Sequence, residues 1–201
     1  KIEHLRRSAA FFICFIIICA VLPFYSFAST AKPAVPDTTG ASYIYLYNYE
    51  CDRIIFSKGS LDKKISPAST VKLMSGYLAL QHLSNRLDEK IEITDEMLSD
   101  VEGFTVGIQS GDILTVNDIL YSLICGSGND AAHIVAYLCS GSVDGFVNEM
   151  NATAHELGMT TTNYTNPTGL DDSHAYTTVY DTAIMSKLNA KNELFLKMST
   201  A

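Results

Sequence analysis

The chain has 201 residues, 47% of them apolar and 18% charged, with a formal net charge of −8. That length allows one domain with a core of its own. The acidic balance argues against nucleic acid as a partner, because phosphate binding needs clustered Lys and Arg, and no long low-complexity tract gives a reason to expect disorder.

Residues 1–28 have the layout of an export signal. Lys1, Arg6 and Arg7 give a basic start, Ala9 to Leu22 is an unbroken apolar run, and Ser26-Phe27-Ala28 offers small residues for cleavage. The run is shorter than the ~20 apolar residues that a spanning helix needs; an uncleaved anchor is the alternative. Residues 29–42, with Pro33 and Pro36, read as a linker.

Tyr43 to Tyr47 and Ile54 to Phe56 are rich in strand formers, and the polar stretch Asn48 to Arg53 between them predicts a hairpin. Ser66-Pro67 forces extended backbone ahead of Ser69. From Ser69 the period changes: Val71, Met74, Tyr77 and Leu78 share a face, predicting a helix over 69–82. Residues 90–94 are a candidate short strand, and the stretch after them is expected to be mostly helical. Thr115 with Asp118 resembles a capping box that opens a helix over 116–125. Further helices are expected over 130–139, ending at Gly141, and over 143–157, ending at Gly158. A long loop over 163–174 holds Pro167 and Gly169. Thr178 with Asp181 opens a helix to about residue 190, and Asn192 caps a short last one.

The expected fold class is α+β, an antiparallel sheet with helices on its faces. Only the N-terminal hairpin supplies strands to that sheet. Two strands alone are marginal, so residues 43–201 are expected to be the N-terminal part of a longer domain.

Outside the leader stand three cysteines, Cys51, Cys125 and Cys139. An odd number makes no disulfide framework, and the spacing matches no zinc pattern. Buried thiols are expected, with a Cys125–Cys139 bridge as the alternative, and neither metal nor cofactor. His82, His133, His155 and His174 are scattered and read as helix-face or surface residues. Asp171 and Asp172, adjacent in a Gly/Pro loop, read as loop-stabilising.

Two motifs carry chemistry. In Ser69-Thr70-Val71-Lys72 the first and last residues share a helical face. A serine hydroxyl needs a nearby base, and a lysine one turn on serves if burial leaves it neutral. The bland reading is a helix N-cap followed by a solvated lysine. Ser60-Leu61-Asp62-Lys63 has the same spacing but lies in a polar turn with no apolar helical face behind it. The second motif, Ser127-Gly128-Asn129, sits in a turn between two helices, where it either presents a hydroxyl and an amide to a site or caps the following helix.

Taken in this order, the motifs resemble the serine penicillin-recognising family, with its Ser-x-x-Lys, Ser-x-Asn and Lys-Thr-Gly signature. The surrounding residues extend the likeness: Ser66-Pro67-Ala68-Ser69, the run from Leu120 to Ala132, Glu156 to Met159, Asn166 to Asp172 and Tyr176 to Asp181 are similar to the low-molecular-mass D-Ala-D-Ala carboxypeptidase branch. The resemblance implies a β-lactamase/transpeptidase-like fold and an acyl-enzyme on Ser69. Lys72 would accept the serine proton, Ser127 would pass a proton to the departing D-alanine, and Asn129 would hold the acyl side of the substrate. It also implies peptidoglycan stem peptides as substrate, β-lactams as covalent inhibitors, an extracytoplasmic location and membrane association through a further C-terminal segment. No Lys-Thr-Gly occurs in the 201 residues, which again points to a fragment that would be inactive alone.

Two rivals carry different expectations. A class A β-lactamase needs a deacylating Glu in the loop after Ser-x-Asn, and the comparable stretch, Asn166 to Asp172, has none. A non-catalytic wall-peptide-binding protein of the same fold would form no covalent adduct.

Overall fold

The computed structural model describes residues 38–200. The proposed leader over 1–28 and most of the 29–42 linker lie outside the described residues.

The aromatic and β-branched runs near the start pair as expected. β1 (Ile44–Asn48) and β2 (Arg53–Lys58) are antiparallel, with Ile44 opposite Lys58, Asn48 opposite Arg53 and a register shift at Leu46/Tyr47. The Asn48 side chain closes the turn by accepting the N–H groups of Glu50 and Cys51, the local competition with regular structure that makes Asn a turn former. No further strand joins this sheet among the described residues.

A 3-10 turn, Ala68–Val71, leads into α1 (Lys72–Leu83). Met74, Ser75, Gly76, Leu78, Ala79, Leu80 and Leu83 of α1 are buried. The helix is enclosed rather than amphipathic, which is what a helix surrounded by others requires. Around it pack α2 (Val116–Ile124), α3 (Asn129–Ser140), α4 (Val143–Glu156), α5 (Val179–Asn189) and α6 (Glu193–Ser199). Ile119, Leu120, Leu123, Ile134, Phe146, Met150, Met185 and Met198 complete the core; each contributes roughly 1.5–3 kcal/mol through burial.

Side chains placed in the sequence satisfy the helix starts. Thr115 and Asp118 form a reciprocal capping box, Ser142 accepts from Gly145 N–H, Thr178 from Asp181 N–H, and Asn192 from Leu194 and Phe195 N–H. Among the described residues no helix is long and apolar enough to cross a membrane.

Three expectations need correction. The candidate strand over 90–94 is present as β3 (Lys90–Glu92), but its antiparallel partner β4 (Ile113–Thr115), in a separate two-stranded sheet, falls where no strand was expected. Thr115 ends a β-type run and caps a helix at once, so the capping signal masked the strand. Secondly, residues 95–112 are not mostly helical; only Glu96–Leu98 makes a 3-10 turn. The rest is loop whose N–H groups are satisfied from elsewhere, as the site below shows. Thirdly, Cys51 and Cys125 are exposed and Cys139 is half-buried, with no Cys125–Cys139 bridge. Cys51 lies in the hairpin turn and Cys125 ends α2, both at surface junctions rather than on apolar faces.

Candidate active site

Lys72 is the first residue of α1 and only 7% exposed. Its Nζ donates to Asn129 Oδ1 at 2.8 Å and to the Thr168 carbonyl at 2.7 Å. Burial lowers its pKa to about 8, because a low-dielectric environment disfavours the charged form. The solvated-lysine reading is therefore wrong.

Ser69 stands one turn ahead, exposed, in the 3-10 turn. The N-cap of that turn is Pro67, with no side-chain cap bond, so Ser69 caps nothing. Ala68, directly before it, takes φ 45°, a left-handed conformation that costs a non-glycine residue about 1–2 kcal/mol. Gly169, itself at φ 87°, explains how that peptide is held. A Cβ at Gly169 would collide with the Ala68 carbonyl oxygen and come within 2.9 Å of the Ser69 nitrogen. Only glycine lets the loop press this closely on the nucleophile candidate.

That loop binds the front of α1 at several points. Ser75 Oγ donates to the Pro167 carbonyl at 2.8 Å and Ser66 Oγ to Asp171 Oδ1 at 3.1 Å. Within it, Asn166 Oδ1 accepts from Thr168 N–H, Thr168 Oγ1 and Gly169 N–H, and Asn166 Nδ2 donates to the Leu170 carbonyl. One asparagine thus organises the Asn-Pro-Thr-Gly turn that carries the Thr168 carbonyl to Lys72.

The second motif reaches the same lysine from the other side. Ser127 takes φ 54°, and the N-cap of α3 is Gly128 with no side-chain bond. Neither Ser127 nor Asn129 is a simple helix cap, which disposes of the bland reading. Asn129, 5% exposed, places its Oδ1 on Lys72 and donates from Nδ2 to the Glu102 carbonyl at 2.7 Å. Its backbone N–H donates to the Phe104 carbonyl at 2.8 Å. The next residue, Asp130, is buried and accepts the N–H groups of Val106, Gly107, Ile108 and Ala131. This anionic cradle satisfies the loop over 102–108, which the sequence reading had expected to be helical.

The structure therefore joins Lys72 directly to Asn129, 57 positions apart, with Ser69 three residues from the one and Ser127 two from the other. Neither serine hydroxyl bonds to Lys72 here. Sequence reasoning missed Ser75, Asn166, Thr168, Gly169 and Asp130. Turn chemistry in Asn-Pro-Thr-Gly was the available signal for three of them; nothing local marks Ser75 or Asp130. His82 pairs with Glu149 at 2.6 Å and His174 with Asp172 at 3.2 Å, both at the surface, whereas His133 is buried on α3. Asp171 and Asp172 hold loop contacts, as expected.

The described residues thus combine a helical block with small antiparallel sheets, a buried lysine one turn after a serine, and a Ser-x-Asn turn whose asparagine is bonded to that lysine. The family model for D-alanyl-D-alanine carboxypeptidase, peptidase S11, matches residues 28–201, and the chain belongs to that family. It is 32% identical over 157 residues to D-alanyl-D-alanine carboxypeptidase DacF of Bacillus subtilis, an alignment covering 77% of this chain and 40% of the relative. It is 29% identical over 173 residues to DacC of Escherichia coli, covering 81% and 42%. The crystal structure of penicillin binding protein 6B from Escherichia coli superposes with a TM-score of 0.73 at 26% identity, covering 84% of this chain and 56% of that one. The transpeptidase-like fold expected from the motifs is thus the fold found. The chain spans about two fifths of the length of these curated relatives.

Proposed function

We propose that the whole protein is an exported serine D-Ala-D-Ala carboxypeptidase acting on peptidoglycan stem peptides, covalently inhibited by β-lactams. Ser69 Oγ attacks the carbonyl carbon of the penultimate D-alanine. Its proton passes to the neutral Lys72 amine. Ser127 relays a proton to the nitrogen of the departing D-alanine as the peptide bond breaks. Water then hydrolyses the ester on Ser69 and regenerates the hydroxyl. Asn129 holds the peptide on the acyl side, and the Ser69 backbone N–H supplies one donor for the developing oxyanion. Residues 1–28 act as the export signal, in keeping with a substrate outside the cytoplasm, and residues 43–201 form the N-terminal part of the peptidase domain.

The observation that carries this reading is the buried Lys72 amine, bonded to Asn129 and Thr168 and lowered to about 8. A buried cationic lysine is costly unless it pairs with an anion or loses its proton, and both of its partners here are neutral oxygens. The β-lactamase alternative lacks a Glu in the loop from Asn166 to Asp172. Incubation of the whole natural protein with a fluorescent penicillin should give a long-lived adduct, and Ser69→Ala should give none. Rapid turnover of the penicillin would favour the β-lactamase instead, and an adduct on Ser69→Ala would sink the assignment.

A further inference from the structure

The loop that holds Asn129 is fastened to three side chains of α3. Asn129 donates from Nδ2 to the Glu102 carbonyl, and Asp130 accepts the N–H groups of Val106, Gly107 and Ile108. One helical turn beyond Asn129 stands His133, beside the Ser99 backbone and the Asp100 carboxylate. His133 differs from the other two. It is 7% exposed, and its Nδ1 is buried without a hydrogen-bond partner. Buried polar atoms are nearly always paired, so an orphan calls for a reason. Asp100 takes φ 56°, a left-handed backbone that persists in a non-glycine residue only where its surroundings hold it. A cleft of about 300 Å³ opens beside the ring. Its carboxylates are Asp100 from the loop and Asp144 from the first turn of α4; Tyr137, one turn further along α3, is the remaining titratable group on it among the described residues. Glu96, in the 3-10 turn that packs on α3, is exposed, and Asp100 is the charge that acts on the ring. Burial holds His133 below the usual histidine range, and the Ser99 backbone and Asp100 offset only part of this. Protonation in place makes both ring nitrogens donors, and Nδ1 has no acceptor.

We propose that His133 is a positioning residue for Asn129: neutral, it packs against Ser99 and Asp100 and keeps the Glu102 and Phe104 carbonyls on Asn129; protonated, it moves out to the carboxylates of the cleft and slackens that hold. A ring that is harder to charge in place than when released makes release more favourable as the pH falls below its ordinary value. Asn129 in turn orients the Lys72 amine, so acylation weakens in acid by more than the loss of the lysine base form. The inference rests on the carboxypeptidase reading for this catalytic consequence alone.

The test uses the whole natural protein and its acylation rate with a slowly reacting penicillin, each variant normalised to its own rate at about pH 9. With Lys72 alone titrating, the rate falls about tenfold for each pH unit below the lysine pKa of about 8. His133→Gln, which takes up no proton, should follow that line down to about pH 5. The unsubstituted protein should bend below the line under about pH 6.5 and lie roughly tenfold lower by about pH 5. A role in packing alone would leave the shape of the profile unchanged, so coincident profiles overturn the proposal. Labelling at histidine and asparagine supplies a readout that needs neither chemistry nor a variant. In an NMR titration of the unsubstituted protein, the Asn129 side-chain amide signals should shift with the same midpoint as the His133 ring. An Asn129 signal that does not follow His133 overturns the proposal even where His133→Gln fails to fold. A shared midpoint in a protein that forms no penicillin adduct supports the positioning role and counts against the carboxypeptidase reading alone.

Discussion

A neutral lysine amine has two N–H groups and one lone pair. At Lys72 both N–H groups are used, by Asn129 Oδ1 and the Thr168 carbonyl, and the lone pair is left to accept a hydroxyl proton. Asn129 is oriented by the same arithmetic: its oxygen must face the amine because its nitrogen faces the Glu102 carbonyl. With the Lys72 pKa at about 8, acylation by a slowly reacting penicillin should rise with pH from 7 to 9, with its midpoint near 8, as the base form grows. Lys72→Arg should abolish this rise, since a guanidinium does not deprotonate; stopped-flow acylation rates would show either result. The same shift favours folding in alkali. The folded pKa lies below the ~10.4 of an unfolded lysine, so between about 8 and that value the unfolded chain binds more protons and stability climbs with pH. At this scale Ser69, Lys72, Ser127 and Asn129 were open to inspection as candidates, through their spacing together with the family resemblance. Ser75 and Asp130 were not, since a buried serine or aspartate looks like any other until its distant partner is known.

Elements show why the 102–108 stretch was misread. Gly103 and Gly107 punctuate it, yet its backbone is ordered, because Asp130 from α3 receives its N–H groups. Replacing this side chain by Asp130→Asn removes the charge and turns an acceptor into a donor facing other donors. A loss of roughly 3 kcal/mol in chemical denaturation is expected, together with release of Phe104 and Asn129 from their places. A loss below about 1 kcal/mol would mean that the loop holds itself. The helices after α1 were legible to within a residue or two because their caps are local: Thr115, Thr178 and Asn192 act where the sequence puts them, and Gly141 ends α3 at φ 74°; α1 itself, expected from residue 69, begins three residues later at Lys72, behind the 3-10 turn Ala68–Val71. The strand β4 was not legible, because three residues are too few to show an alternating pattern and their partner lies 23 positions upstream.

Over the whole described chain, α1 is the element on which the others converge, and both halves of the site are fastened to its first turn. The α+β class was readable from the change of period at Ser69 and the hairpin ahead of it. The way a stretch without regular structure closes over the front of α1 was not, because it depends on Ser66, Ser75 and Lys72 meeting residues about a hundred positions away. That closure has a kinetic signature. The amides of Thr168 and Gly169 are bonded to Asn166, within a segment that cannot lift without breaking the bonds that Lys72 and Ser75 make to its carbonyls. Deuterium should therefore enter them as slowly as it enters the interior of α1, in the manner of one cooperative unit. If those two amides instead label within seconds, like an ordinary surface connection, the segment opens independently and the base spends part of its time hydrated.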